Sequence, residues 1–307
     1  MIGILAPETD AHARTVGWEL SRRGADFVLL DTRQAHENKW HWRIGAAPQI
    51  RTHRGRTVGL GDLRAVWLRR PYGVRPPDVV RHPDERDLIR GEWRHVLDAI
   101  WAEVTAVLVN RPDAESGATK PRQLEAAHRA GLAVPDTLVS NDAEQVLDFV
   151  RLHRGNIVHK ALSAAPHVLV DTRRWHPDDE GRLGTLAMAP AVFQEQIAGP
   201  FDVRATIVGD RIMAARFSTT GSPVDARLDL TAPCEPYDLP DGVASGLLRC
   251  MSELDLSFGA ADLKVDNDGR HVFLEVNPGG QFLFVEILTG LPISSAVATL
   301  LASAERS

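Results

Sequence analysis

The stretch Gly259-Ala-Ala-Asp-Leu-Lys-Val-Asp-Asn-Asp-Gly-Arg-His-Val-Phe-Leu-Glu-Val-Asn277 sets Asp268-Gly269 between two runs that alternate apolar and polar residues. That dipeptide is among the strongest hairpin signals a sequence offers. With Asp268-Gly269 as a two-residue loop, Asn267 faces Arg270 and Asp262 faces Glu275. Two carboxylates then lie directly across from each other, with Cβ atoms roughly 5 Å apart. Asn277 and Lys264 share their face, whereas Leu263, Val265, Val272, Leu274 and Val276 form the other, an apolar surface that must pack inward. Like charges placed opposite each other destabilise a strand pair unless a cation sits between them. A hard divalent cation fits, because carboxylate and amide oxygens are its preferred donors, and Mg2+ completes its shell with water and nucleotide phosphates. A solvated polar face is the plainer account of a lone Glu-x-Asn; the facing Asp262 and the continuation into Gly279-Gly280 favour the cation.

Upstream, Phe201 to Phe217 reads as a second hairpin around Gly209-Asp210, whose simple register puts Arg204 and Arg216 on opposite faces unless a bulge intervenes. The first third alternates strands and helices. Strands are predicted at Ile2 to Ala6, Phe27 to Leu30, Ala65 to Leu68 and Ala106 to Val109. Helices are predicted at Ala11 to Arg23 and Asp84 to Glu103, the latter with Leu88, Trp93, Val96, Leu97, Ile100 and Trp101 on one face. This βαβ order implies a mostly parallel sheet covered by helices. No GxGxxG follows the first strand, so no dinucleotide site is indicated. The middle is built differently, with a helix at about Lys120 to Ala130, another capped by Asn141 or Asp142 and running through His153, extended chain at Val134 to Val139, and strands at Ile157 to Ala161 and His167 to Val170. From Asp171 to Ala191 a loop with one short helix is expected.

Composition narrows the function classes. The chain has 307 residues, 44% hydrophobic and 25% charged, an ordinary globular mixture. A net charge of -6 argues against a nucleic-acid surface, and no apolar run is long enough for a membrane span, so a cytoplasmic protein is expected. Cys234 and Cys250 lack CxxC spacing, which speaks against zinc and a disulfide framework. Only Lys39, Lys120, Lys160 and Lys264 are lysine among 35 basic residues, so Arg is the default surface cation and each Lys invites a specific role, such as contact with phosphate oxygens.

The elements Gly259-Ala-Ala-Asp-Leu-Lys264, Phe273-Leu-Glu-Val-Asn-Pro278 and Phe193-Gln-Glu-Gln-Ile197 resemble the C-terminal half of an ATP-grasp enzyme. Trp67-Leu-Arg-Arg-Pro71, Val109-Asn-Arg-Pro-Asp-Ala114, Lys120-Pro-Arg-Gln-Leu124, Phe201-Asp-Val-Arg204, Asn277-Pro-Gly-Gly-Gln281 and Ile287-Leu-Thr-Gly-Leu-Pro292 resemble, more narrowly, the maturases of graspetides, microviridin-type ester- or amide-crosslinked peptides. The resemblance implies an α/β (α+β) ATP-grasp fold: an N-terminal parallel-sheet pre-ATP-grasp domain at 1–115, a central subdomain at 116–190 and a C-terminal subdomain with the metal hairpin at 191–307, the two antiparallel-sheet subdomains clamping ATP. It implies ATP and Mg2+ as cofactors. Lys120 and Lys160 would bind phosphates, and Gln194, Glu195, Gln196 and Ile197 would line the adenine hinge. Asp202 would help bind the nucleotide, Arg204 would act with Lys160 near the transferred phosphate, and Asp262, Glu275 and Asn277 would hold metal. Arg204 paired structurally with Asp202 is the bland alternative.

The implied activity is an ADP-forming carboxylate-amine or carboxylate-alcohol ligase that closes rings in a ribosomal precursor peptide, with a homodimer as the family habit. A ligase for amino acids or other small molecules would use the same residues, and a non-catalytic nucleotide-binding regulator is a third possibility. Several positions depart from the family pattern. The segment Ala161 to His167 has no glycine where a phosphate-closing loop is usual, and Arg216 replaces a common acid. Asp225-Ala-Arg227 lacks a central Trp, and Phe282 and Phe284 stand where tryptophans are common. Arg69 and Arg70, at a strand end, could meet a peptide's acidic residues or be structural.

Overall fold

The computed structural model describes residues 1–71, 73–162, 172–218 and 233–304. The chain divides into two compact units: Met1–Glu115 with Leu256–Phe258 and Gly279 onward, and Ser116–Asp255 with Gly259–Pro278. The expected strand at His167 to Val170 and the Asp225 to Arg227 motif lie outside the described residues, as does all but the start of the Ala161 to His167 loop.

In the first unit β1 (Ile2–Leu5), α1 (Ala11–Arg22), β2 (Phe27–Leu30), β3 (Lys39–His41), β4 (Gln49–Arg51), β5 (Thr57–Gly59), β6 (Ala65–Trp67), α2 (Pro83–Glu103) and β7 (Val107–Val109) follow in order. They form a parallel sheet of order β2-β1-β6-β7 and an antiparallel sheet β3-β4-β5. Every residue of β1 is buried, which is why it reads as an unbroken apolar run rather than an alternation. Asp10 caps α1 by accepting from the Ala13 backbone N–H at 2.8 Å. In α2 only Leu97, Ile100 and Trp101 are buried, whereas Leu88 and Val96 are exposed. The expected apolar face of this helix therefore holds only in its second half, the part that reaches the core. The β3-β4-β5 sheet was not foreseen: its three-residue strands are too short for periodicity to register.

The second unit begins within α3 (Pro112–Gly117) and continues through α4 (Lys120–Arg129), β8 (Thr137–Ser140), α5 (Ala143–Leu152), β9 (Ile157–Lys160), β10 (Arg173–Arg174), a 3-10 segment at Pro177–Met188, β11 (Ala191–Glu195), β12 (Phe201–Val208), β13 (Arg211–Ser218), β14 (Cys234–Pro236), α6 (Asp241–Glu253), β15 (Phe258–Val265) and β16 (His271–Asn277). Its sheets have the orders β10-β9-β11-β8 and β14-β13-β12-β15-β16. The chain then returns to the first unit as α7 (Leu283–Thr289) and α8 (Ile293–Ser303). Among the described residues no helix is long and apolar enough to cross a membrane.

The decisive hairpin reaches its expected pairing by an unexpected route. Asp266 N–H donates to Arg270 O at 3.0 Å and Gly269 N–H to Asp266 O at 3.0 Å, so the loop is the three residues Asn267 to Gly269, not Asp268-Gly269 alone. Gly269 sits at φ 80°, the left-handed position such a loop requires. Asp266 also accepts backbone N–H bonds from Asp268 and Arg270, and these bonds hold its carboxyl below the usual range. Near the loop, Lys264 pairs with Val272 and Leu263 with Phe273; past a bulge at Leu274, Asp262 pairs with Glu275 and Ala260 with Asn277. Consequently Phe273, not Leu274, is the buried partner on the inner face, Leu274 is half-buried, and Val272 moves to the Lys264 side. The other hairpin keeps a continuous register from Phe201↔Ser218 to Val208↔Arg211. Without a bulge, Arg216 stays on the face opposite Arg204, where it pairs with Glu235 and lies 5.6 Å over the Phe201 ring.

Candidate functional site

One face of the five-stranded sheet in the second unit gathers the acidic and basic residues. Asp202 and Arg204 alternate onto it from β12, Asp262 and Lys264 from β15, and Glu275 and Asn277 from β16. Arg204 Nη1 donates to Asp262 Oδ1 at 2.6 Å with side chains only 7% and 17% exposed, and Lys264 Nζ lies 2.9 Å from Asp202 Oδ1. Arg204 therefore pairs with Asp262, while Asp202 pairs with Lys264. Glu275 lies across from Asp262 as its like-charged neighbour. Behind this face Gln123, 5% exposed, takes the Val276 N–H at 2.9 Å and gives its own amide to Ala118 O at 2.7 Å, pinning β16 beside Glu275. The role of Gln123 was not foreseen, although it lies within the quoted Lys120 to Leu124 motif. Gly199 packs so closely that a Cβ there would stand 1.8 Å from Val265 O.

The donor set suits Mg2+. Asp262, Glu275 and Asn277 would offer two carboxylates and one amide oxygen from one sheet face; among the described residues no group of three or more His, Cys, Asp or Glu that could hold a metal is found. Mg2+ commonly binds through one or two carboxylates, with phosphate and water filling the rest.

The four-stranded sheet of the same unit holds the other candidates. Lys160 ends β9 opposite Val192, and its Nζ donates to Gln194 Oε1 at 3.2 Å. Gln194 is 3% exposed, and its amide donates to Thr137 Oγ1 at 2.9 Å. Glu195 N–H donates to Asp136 O at 2.9 Å, and the Glu195 carboxylate accepts from Asp136 N–H at 3.3 Å. Gln196 N–H donates to Asn156 O, and Ile197 follows beyond the strand end, half-buried. Lys120 Nζ donates to Ala161 O at 3.1 Å. On the reverse face His159 stacks against Phe193, and burial lowers its pKa.

In the first unit Arg69 is fully buried and donates to the carbonyls of Gly279 and Gly280. Asn110 donates to Phe258 O at 2.8 Å and accepts from the Ser257 and Phe258 N–H groups, a structural clasp. Phe282 is buried against Trp67 and Phe258. Burial raises the pKa of Cys250 to about 11, which leaves it an inert thiol.

No family model and no curated protein matches the chain. Solved structures do. Macrocyclase MdnC of Microcystis aeruginosa MRC, bound with precursor peptide MdnA, is 28% identical with a TM-score of 0.89 over 99% of this chain and 100% of that one. ATP-grasp ligase PsnB, complexed with a minimal precursor, is 26% identical with a TM-score of 0.83 over 99% and 98%. A RiPP-associated ATP-grasp ligase of Chryseobacterium gregarium, in complex with ADP and leader and core peptides, is 23% identical with a TM-score of 0.89 over 100% and 98%. The chain thus has the fold of the ATP-grasp superfamily and resembles its graspetide-type peptide maturases.

Proposed function

We propose that the chain is an ADP-forming ligase that joins a carboxylate to a hydroxyl or amine within a ribosomally made precursor peptide. The observation that carries this is the sheet face on which Asp262 and Glu275 oppose each other beside Arg204, in a fold matching a macrocyclase bound with its precursor peptide along nearly the whole chain. Asp262, Glu275 and Asn277 would hold Mg2+; Lys120 and Lys160 would hold phosphates, with Asp202 helping to bind the nucleotide. Gln194 to Ile197 would line the adenine site, and Glu195 would supply a polar edge. When bound, ATP would supply the phosphoryl group and Mg2+ would neutralise its charge. The substrate carboxylate attacks the γ-phosphoryl group and ADP departs; the hydroxyl or amine then displaces phosphate, so each closure removes one water. Arg204 and Lys160 serve this step by charge neutralisation and positioning, and no covalent nucleophile is needed. The same reading divides the chain at 115/116 and 190/191 into three functional parts, treats a homodimer as the working assembly and puts the reaction in the cytoplasm.

The test is mass spectrometry of a candidate precursor encoded beside the gene, after incubation with enzyme, Mg2+ and ATP. Successive water losses matched by ADP, and abolished by Glu275→Ala, are expected. An unchanged peptide mass, with ADP released only when free amino acids or other small carboxylates are supplied, would replace the peptide reading with a small-molecule ligase.

A further inference from the structure

The sheet order β2-β1-β6-β7 sends the chain first to one side of β1 and then to the other, so the loops leaving the C-terminal ends of β1 and β6 diverge. Such a switch point is where open α/β sheets bind ligands. A cavity of about 290 Å³ lies there, lined by Thr9, Asp10, His12, Arg33, Arg70 and Gln281. That is room for a carboxyl side chain with several waters.

The two adjacent arginines at the end of β6 have separate tasks. Arg69 is spent on the carbonyls of Gly279 and Gly280. Arg70 is anchored by its backbone N–H to Leu5 O at 3.0 Å, while its side chain is 32% exposed and its Nε lies 3.9 Å from Asp10 Oδ2, too long for a charge-assisted hydrogen bond. Asp10 is occupied elsewhere, since its Oδ1 caps α1. Asp31 is bound by Arg33 at 2.8 and 3.1 Å. His12 Nε2 accepts the N–H groups of Phe282 and Leu283, so the ring is neutral. The cations of the lining are Arg33, held by Asp31, and Arg70, and its carboxylate is Asp10, while Glu115 faces Arg69.

We infer that this cavity is a binding site for a single carboxylate, with Arg70 as its principal contact. The half-exposed planar guanidinium of Arg70, with the Gln281 amide in the same lining, suits the planar fork of a carboxylate, which it can meet bidentately, better than tetrahedral phosphate. Resting on the ligase reading, the inference makes the ligand an acidic side chain of the precursor peptide.

Two measurements separate the inference from that reading. The first is thermal stabilisation of the full chain by glutarate, with inorganic phosphate as the contrast, for wild type, Arg70→Gln and Arg70→Lys. Glutarate should stabilise wild type, Arg70→Lys in part, and Arg70→Gln not at all. No wild-type shift, an equal shift in Arg70→Gln, or a shift with phosphate in place of glutarate overturns the site whatever the enzyme's reaction proves to be. The second is the KM for precursor peptide, which should rise about tenfold in Arg70→Gln while the KM for ATP stays put. Replacing the peptide's acidic side chain by its amide should raise the wild-type KM equally and leave Arg70→Gln indifferent. An unaltered peptide KM in Arg70→Gln also overturns the site, whereas absence of ring closure by wild type sinks the ligase reading and leaves the glutarate result standing.

Discussion

Lys160 and Gln194 are joined by a hydrogen bond from Nζ to Oε1 of 3.2 Å, and Gln194 is itself held by Thr137. The buried amide thereby fixes where the ammonium points. Gln194→Leu removes the acceptor while keeping the volume, so the KM for ATP should rise about tenfold with a smaller change in kcat. Gln194→Glu should be worse, because a carboxylate would compete with phosphate for the same ammonium. Steady-state kinetics at varied ATP reads both.

Asp262 and Glu275 oppose each other, yet they should fail differently. Asp262→Ala strips a 7%-exposed Arg204 of its carboxylate, which should cost about 3–5 kcal/mol of stability besides activity. Glu275→Gln leaves that pair intact; the melting temperature should hold while ADP formation falls about 100-fold and demands more Mg2+. Paired melting and Mg2+ titration curves test this.

His12 links stability to pH. Its pKa falls from 6.5 to about 4, chiefly by burial and then by Arg69. The folded ring stays neutral where the unfolded ring takes up a proton, so its contribution is whole above pH 6.5 and is lost as pH falls towards 4. Discounted for the water that still reaches the ring, the loss should be about 1–2 kcal/mol. His12→Gln, which keeps an acceptor for the Phe282 and Leu283 N–H groups and cannot titrate, should flatten the melting temperature between these pH values.

Gly199 tests packing rather than chemistry. Alanine there would drive its Cβ into Val265 O, a backbone atom that cannot swing aside. A loss of about 2–3 kcal/mol is expected from chemical denaturation, against little change for Gly181→Ala, whose added methyl meets nothing within 4 Å.

The sequence disclosed those parts of the fold in which local signals and burial agree. α1 begins at Ala11 as its apolar spacing indicates, α5 takes Asp142 of the two candidate caps, and Gly209-Asp210 closes its hairpin in simple register. Asp262 was placed opposite Glu275 correctly, though through a loop that differs. What stayed hidden is non-local. Nothing in the spacing of Arg204 and Asp202 says which carboxylate Arg204 will choose, because strand order decides it. Gln123 and Asn110 bind backbone groups more than a hundred residues away, and neighbouring sequence cannot report that. In α2 the periodic apolar residues outnumber those the core can cover, so periodicity overstated the buried face.

The bulge at Leu274 has a consequence for how this hairpin tolerates change. The three-residue loop shifts the phase of the ladder by one step, and the extra residue at Leu274 shifts it back before the carboxylates are reached. Two offsets of opposite sign thus cancel, and the pairing of Asp262 with Glu275 does not depend on the turn alone. A chain built this way can lengthen or remodel its turn and absorb the slip at the bulge, keeping both acids on the same side of the sheet while the tip of the hairpin drifts.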